Sequence, residues 1–182
     1  VDTWLRSPAN PYAATDPSGL RLFADCADLP YFLRSYFAWK NGLPMSVQSS
    51  VAPRNLPGNS GDIRYTPFGN VVTGRFDVLS RNSAGRLWED FWADLMATRY
   101  PNAVSLLNGT LIDVTLSASY RMMGLEDGRL FTDFYPVRLD RNSIRPGTVI
   151  YDSNGHVTII YKVTDDGHIY YIDSHPDNTL TS

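Results

Sequence analysis

The stretch HVTIIYKVTDDGHIYYID, residues 156–173, decides how this chain is read. Val157, Ile159 and Tyr161 alternate with Thr158 and Ile160. Residues 169–172 are again β-branched and aromatic, as strands prefer. Between the two runs lies TDDG, a turn sequence. The expectation is a hairpin of strands 156–163 and 168–173. A further short β-branched segment, GTVIYD at 147–152, precedes it. In such a hairpin the end of the second strand returns to the start of the first. That brings Asp173 beside His156 and sends His168, after the turn, to the far, solvent-exposed end.

Upstream the pattern changes. ADCADLPYFLRSYFAWKNG, residues 24–42, reads as a helix opening at the only cysteine, Cys26. Leu29, Phe32, Leu33, Tyr36 and Phe37 recur at helical spacing and form the expected apolar stripe. Pro30 falls in the first turn, where a missing N–H is tolerated. Gly42 and Pro44 end the helix. Residues 7–19 hold three prolines and read as loop. Residues 44–62, with Pro44, Pro53, Pro57, Gly58 and Gly61, also read as loop. IRYTPFGNVVTGRFDVL, residues 63–79, suggests two short strands around Phe68-Gly69-Asn70. A second helix is expected over 84–100, capped by Ser83, with Trp88, Phe91, Trp92, Leu95 and Met96 inward and Pro101 as its stop. A third is expected over 111–123. A helix-rich first part followed by an antiparallel sheet gives an α+β fold.

Composition narrows the classes. The chain has 182 residues, 43% of them hydrophobic and 19% charged, enough for one domain with a real core. Net charge is −3 and no basic block exists, so nucleic acid is not an expected partner. No run of eighteen apolar residues spans a membrane. One cysteine makes no internal disulfide. The chain starts at Val1 without methionine or an apolar leader, and reads as a mature form or an excised domain.

Three residues can carry chemistry together. A thiolate is the reactive form of cysteine, and helix N-termini favour it. Cys26 is therefore a candidate nucleophile; the alternative is a small side chain extending the buried stripe. A nucleophile needs a base. His156, opening a strand, is the candidate; the alternative is a turn histidine after Asn154-Gly155. The base needs an orienting acceptor, and Asp173 is placed for it, with His175 a neighbouring candidate. The alternative for Asp173 is a turn former that ends its strand. His168, Asp173, His175 and Asp177 could also suggest a metal site, but no HExxH or CxxC spacing supports one, and neither metal nor cofactor is expected. Trp88, Phe91, Trp92 and Met96 read as core, with a glycan platform as the alternative. Glu89, Asp90 and Asp94 read as a solvated face. Asn108-Gly109-Thr110 fits a glycosylation acceptor, silent in the bacterial source expected here.

NPYAATDPSGLRLFADCADLPYFLRSYF, residues 10–37, resembles the start of an NlpC/P60 peptidase domain: Pro11-Tyr12 and Asp25-Cys26 match its motifs in order. RPGTVIYDSNGHVTIIYKV, residues 145–163, is similar to its second motif through Arg145-Pro146-Gly147 and Gly155-His156-Val157. The resemblance implies a papain-like fold, a Cys-bearing helix packed on a sheet carrying His. It implies Cys26 as nucleophile, His156 as base, and the Tyr12 hydroxyl at the oxyanion site. Asp173 corresponds to the family's third polar residue by strand position, where His is usual. Tyr12, Asp25, Asp28 and His175 form the candidate oxyanion and substrate-binding set. Ala27-Asp28 stands where the family has Ser-Gly, which puts Asp28 on the substrate approach. The Cys–His separation is long for the family, so residues 43–140 become an elaboration within a single domain, 1–182. The implied activity is a cysteine peptidase or amidase acting on peptidoglycan stem peptides, in the periplasm or secreted, without a cofactor. An inhibitor or immunity protein is a possible partner. A transglutaminase-like acyltransferase, or a non-catalytic domain binding cell-wall glycan or protein, is the alternative.

Overall fold

A computed structural model describes residues 23–78, 103–122, 130–176 and 179–182. The chain is mixed α/β, with two antiparallel sheets and few helices among the described residues. Helix α1 (Asp28–Lys40) is followed by strands β1 (Met45–Pro53) and β2 (Asn70–Val78), which pair as a two-stranded sheet. A helical run comes next: α2 (Ala103–Leu106), a π-helical stretch (Leu107–Leu111), α3 (Ile112–Val114), then a 3₁₀ turn (Ser117–Tyr120). The second sheet has the order β3 (Val149–Tyr151), β4 (Val157–Val163), β5 (Ile169–Ser174) and β6 (Leu180–Thr181), all antiparallel.

The hairpin over 156–173 forms as its alternation and turn sequence require. Ile159 pairs with Ile172 and Val163 with Ile169, with a bulge after Ile160. His168 stands exposed at its tip against Asp166, 2.9 Å away. Helix α1 also ends as expected. Gly42 takes φ +65°, open to glycine at little cost. The N–H groups of Gly42 and Leu43 then return to the Trp39 and Ala38 carbonyls, closing the last turn.

Several expectations are corrected. The apolar stripe of α1 is rotated: Ala27, Tyr31, Phe32, Ser35 and Ala38 are buried, whereas Leu33, Tyr36 and Phe37 are exposed. The helix is apolar on more than one side, so spacing alone could not choose its core face. Residues 45–53 form a strand, not a loop. The prolines that suggested loop lie just before it and at its last residue, outside the ladder's middle. Of the segment expected to hold two strands, described residues 63–78 hold one; its partner β1 lies upstream across the turns at 57–68. The helical run begins at Ala103 and breaks at Thr115, whose extended backbone (φ −85°, ψ 139°) ends it. The helix expected over 84–100, the loop at 7–19, Tyr12 and Asp177 lie outside the described residues.

One core joins these elements. Tyr31 and Phe32 of α1, Val47 of β1, Val78 of β2, Leu106, Leu111 and Tyr120 of the helical run, and Val157 of β4 belong to one buried cluster. Burying each large apolar side chain favours folding by about 1.5–3 kcal/mol. Beside it lies a buried polar hub on Asp133. Its carboxylate meets Arg75 at 2.6 Å and accepts from the Tyr31 hydroxyl at 3.2 Å and the Gln48 N–H at 2.7 Å. In return Gln48 Oε1 accepts the Asp133 N–H at 3.0 Å. The hub thereby ties α1, β1 and β2 to the segment before β3. Asp133→Ala leaves Arg75 and two buried donors without their acceptor. The variant is expected to lose about 3–5 kcal/mol of stability, read as a lower urea midpoint at unchanged slope. A loss below about 1 kcal/mol would mean that the hub behaves as an ordinary surface ion pair.

Candidate active site

The start of α1 meets the open end of the β4–β5 hairpin. Helical backbone begins before Asp28: Ala27 has φ −76° and ψ −33°, and Leu29 N–H donates to the Asp25 carbonyl at 3.2 Å. Asp25 is the functional cap. Its carboxylate accepts from the N–H groups of Ala27 (2.8 Å) and Asp28 (3.1 Å). The Asp28 carboxylate reaches back to the Asp25 N–H at 2.9 Å, completing a reciprocal capping box. Asp28 is buried and also accepts from the Thr115 hydroxyl. The structure therefore engages Asp25 and Asp28 in the cap. The pattern D-x-x-D ahead of an apolar run was a signal for this, and the sequence reading missed it. Cys26 is the first residue after the cap, and no acceptor is assigned to its N–H among the described residues.

Two further bonds fix this segment. Ser174 of β5 donates its hydroxyl to the Ala24 carbonyl, and Tyr120 donates to the Ala27 carbonyl at 2.7 Å. Burial pushes the Tyr120 hydroxyl well above its ordinary pKa, keeping it a donor. Neither residue stood out in the sequence, because each acts across a long stretch of chain.

On the sheet side, residues 152–155 turn between β3 and β4. Gly155 takes φ +95°, its N–H donates to the Asp152 carbonyl at 2.8 Å, and Asp152 N–H donates to the His156 carbonyl at 2.8 Å. Arg121 braces the turn by donating to the Ser153 carbonyl at 3.3 Å. The turn sets the Gly155 carbonyl 3.9 Å from Cys26 Sγ, a contact across 129 positions. His156 follows directly. Its Nε2 lies 2.5 Å from Asp173 Oδ2, and Asp173 is buried while His156 is partly exposed. In the neutral ring, an Nε2–H donated to the carboxylate leaves Nδ1 as the nitrogen that can accept.

Of the sequence candidates, Cys26, His156, Asp173 and His175 thus gather where α1 meets β4 and β5. Asp25 and Asp28 stand at the helix cap beside them. The His175 ring stacks on that of His156, with centroids 5.6 Å apart and planes at 17°. No three His, Cys, Asp or Glu side chains group as metal ligands among the described residues. A groove of about 1290 Å³ lies elsewhere, between Pro30 and Leu33 of α1, Phe134 to Leu139, and Ile159. Its described lining does not reach Cys26, His156 or Asp173.

The thiol is not a ready thiolate. Burial raises its pKa from the ordinary 9.0, and the Asp25 and Asp28 charges push the same way. Backbone hydrogen bonding at Val157 and Ala27 opposes them without reversing the shift. The resting sulfur therefore carries its proton at neutral pH, and attack requires a base to take it. Compared with models of protein families, with curated proteins and with solved structures, this chain matches none.

The direction of the shift gives a test. Iodoacetamide alkylation of Cys26, the single cysteine, is expected to rise with pH about a midpoint above 9.0, slower at pH 7 than for an ordinary exposed thiol. Asp25→Asn keeps a good capping side chain but removes one charge. It should move that midpoint downward and speed alkylation at fixed pH. A wild-type midpoint well below 9, or no shift in D25N, would contradict these electrostatics.

Proposed function

We propose that this chain is a cysteine hydrolase of papain-like type that cleaves an amide bond by acyl transfer through Cys26. Two observations support the reading: the Cys26 sulfur lies 3.9 Å from the carbonyl of Gly155, the residue before His156, and His156 pairs with the buried Asp173 carboxylate at 2.5 Å. The His156–Asp173 contact at 2.5 Å holds the imidazole with Nδ1 free to accept a proton. In the proposed reaction His156 Nδ1 takes the Cys26 proton as sulfur attacks the carbonyl carbon. Negative charge collects on the carbonyl oxygen, and in this proposal the Cys26 N–H, at the start of the helix, stabilises it. The imidazolium pairs with Asp173, then gives its proton to the departing amine nitrogen as the C–N bond breaks. A thioester remains. Water, deprotonated by His156, attacks it, and the thiol leaves with the returned proton. The raised thiol pKa disfavours a standing thiolate, so the proposed attack calls on His156 as base.

The substrate rests on the resemblance of residues 10–37 and 145–163 to NlpC/P60 domains. On that basis we propose peptidoglycan stem peptides as the source of the amide and action outside the cytoplasm. No helix among the described residues is long and apolar enough to cross a membrane.

The test is digestion of purified peptidoglycan sacculi, with released muropeptides identified by mass spectrometry. The wild type is expected to release fragments bearing a new amine and a new carboxylate. Cys26→Ala and His156→Ala should each lower the rate by at least ~10³-fold. Asp173→Asn should lower it by about 10²- to 10⁴-fold, all three remaining folded by circular dichroism. Absence of fragments from the wild type, or equal release by C26A, would overturn the proposal. Products carrying an added primary amine in place of water would instead establish an acyltransferase.

A further inference from the structure

The Asp173 carboxylate has two oxygens, and His156 uses only Oδ2. Oδ1 is buried and has no hydrogen-bond partner among the described residues. A buried carboxylate oxygen left bare is costly, so a donor should stand near it. His175 Nε2 lies 3.6 Å away. The placement follows from the sheet. His175 stands one residue past β5, two positions after Asp173. The β4–β5 ladder ends at Ile159 opposite Ile172, and beyond that end the His156 and His175 rings stack.

His175 is itself held from behind by the last strand. Its N–H donates to the Thr179 carbonyl at 3.0 Å, and Nε2 lies 2.9 Å from the Thr181 hydroxyl. An unprotonated Nε2 would aim its lone pair at a carboxylate. A protonated Nε2 has a single N–H, within hydrogen-bond distance of the Thr181 hydroxyl at 2.9 Å and within ion-pair distance of Asp173 Oδ1 at 3.6 Å, where it puts positive rather than negative charge toward the carboxylate. We propose that His175 is a positioning residue that shares the Asp173 carboxylate with His156, so that β6 fixes the carboxylate which fixes the base. The consequence for catalysis rests on the hydrolase reading above; the shared carboxylate does not. Thr158 is the competing donor: its hydroxyl is buried and has no partner among the described residues.

Histidine-selective ¹⁵N NMR of the whole chain tests this, with exposed His168 as internal reference. His156 and His175 are both expected to be protonated at Nε2, with imidazole N–H protons that exchange slowly with water. Asp173→Asn should abolish that protection at both. His175→Leu should weaken it at His156 and lower the rate constant for sacculus digestion by about 10- to 100-fold, with little change in KM. His175→Gln, whose amide nitrogen can stand in for Nε2, should restore both. Thr158→Val should change neither. If H175L folds poorly, Thr181→Val at the exposed strand end carries the same expectation for the His156 proton. The proposal is overturned if His175 is protonated at Nδ1, if H175L leaves the His156 proton and the rate as in wild type, or if T158V has the effect expected of H175L. A wild type that digests nothing sinks the hydrolase reading, while the imidazole protons still decide whether the carboxylate is shared.

Discussion

The first turn of α1 is pinned to the open end of the β4–β5 hairpin, and the site exists only because of that junction. Closing a loop of this length costs conformational entropy before any contact rewards it. The reward comes from packing Ala27 and Val157 into one cluster with the helical run and β1. Directional bonds then set the angle. The Ser174 hydroxyl holds the Ala24 carbonyl, Tyr120 holds the Ala27 carbonyl, and the Asp25–Asp28 box stiffens the turn between them. Cys26 sits inside that frame, its sulfur 3.9 Å from the Gly155 carbonyl oxygen.

That frame has an electrostatic consequence. The two carboxylates that cap the helix also stand next to the sulfur. A helix N-terminus favours a thiolate, yet here its cap is made of acids that disfavour one, and burial adds to them. The balance falls on the neutral thiol. The cap thus disfavours the charged form of the thiol that stands beside it. On the other side of the junction charge is arranged in the opposite sense: a buried carboxylate faces two imidazoles and is suited to stabilising a positive ring.

Local chemistry made parts of this readable from sequence. The 156–173 hairpin has both the alternation and the turn residues of its type, and its geometry alone brings Asp173 to His156. The stop of α1 at Gly42 follows from one glycine. Other parts depend on distant partners. The core face of α1 is chosen by Tyr120, Phe134 and Asp133, which a periodicity count over residues 29–37 cannot include. β1 carries an ordinary alternating pattern at Met45 and Val47, obscured by prolines that turn out to bracket the strand. The Asp133 hub joins residues 58 to 102 positions apart, and nothing near Asp133 announces it. Within the site, the role of the Asp25 and Asp28 pair was available in their spacing. Ser174 and Tyr120 were not, because their acceptors are backbone carbonyls far along the chain.

The central claim is that Cys26 receives an acyl group because His156 removes its proton. Intact-protein mass spectrometry, after acid quench of a brief incubation with soluble muropeptides, tests this directly. The account predicts a transient acyl adduct mapped to the peptide containing Cys26 in the wild type, and none in His156→Ala. Substrate turnover with no adduct at any time, or an equal adduct in H156A, would contradict it.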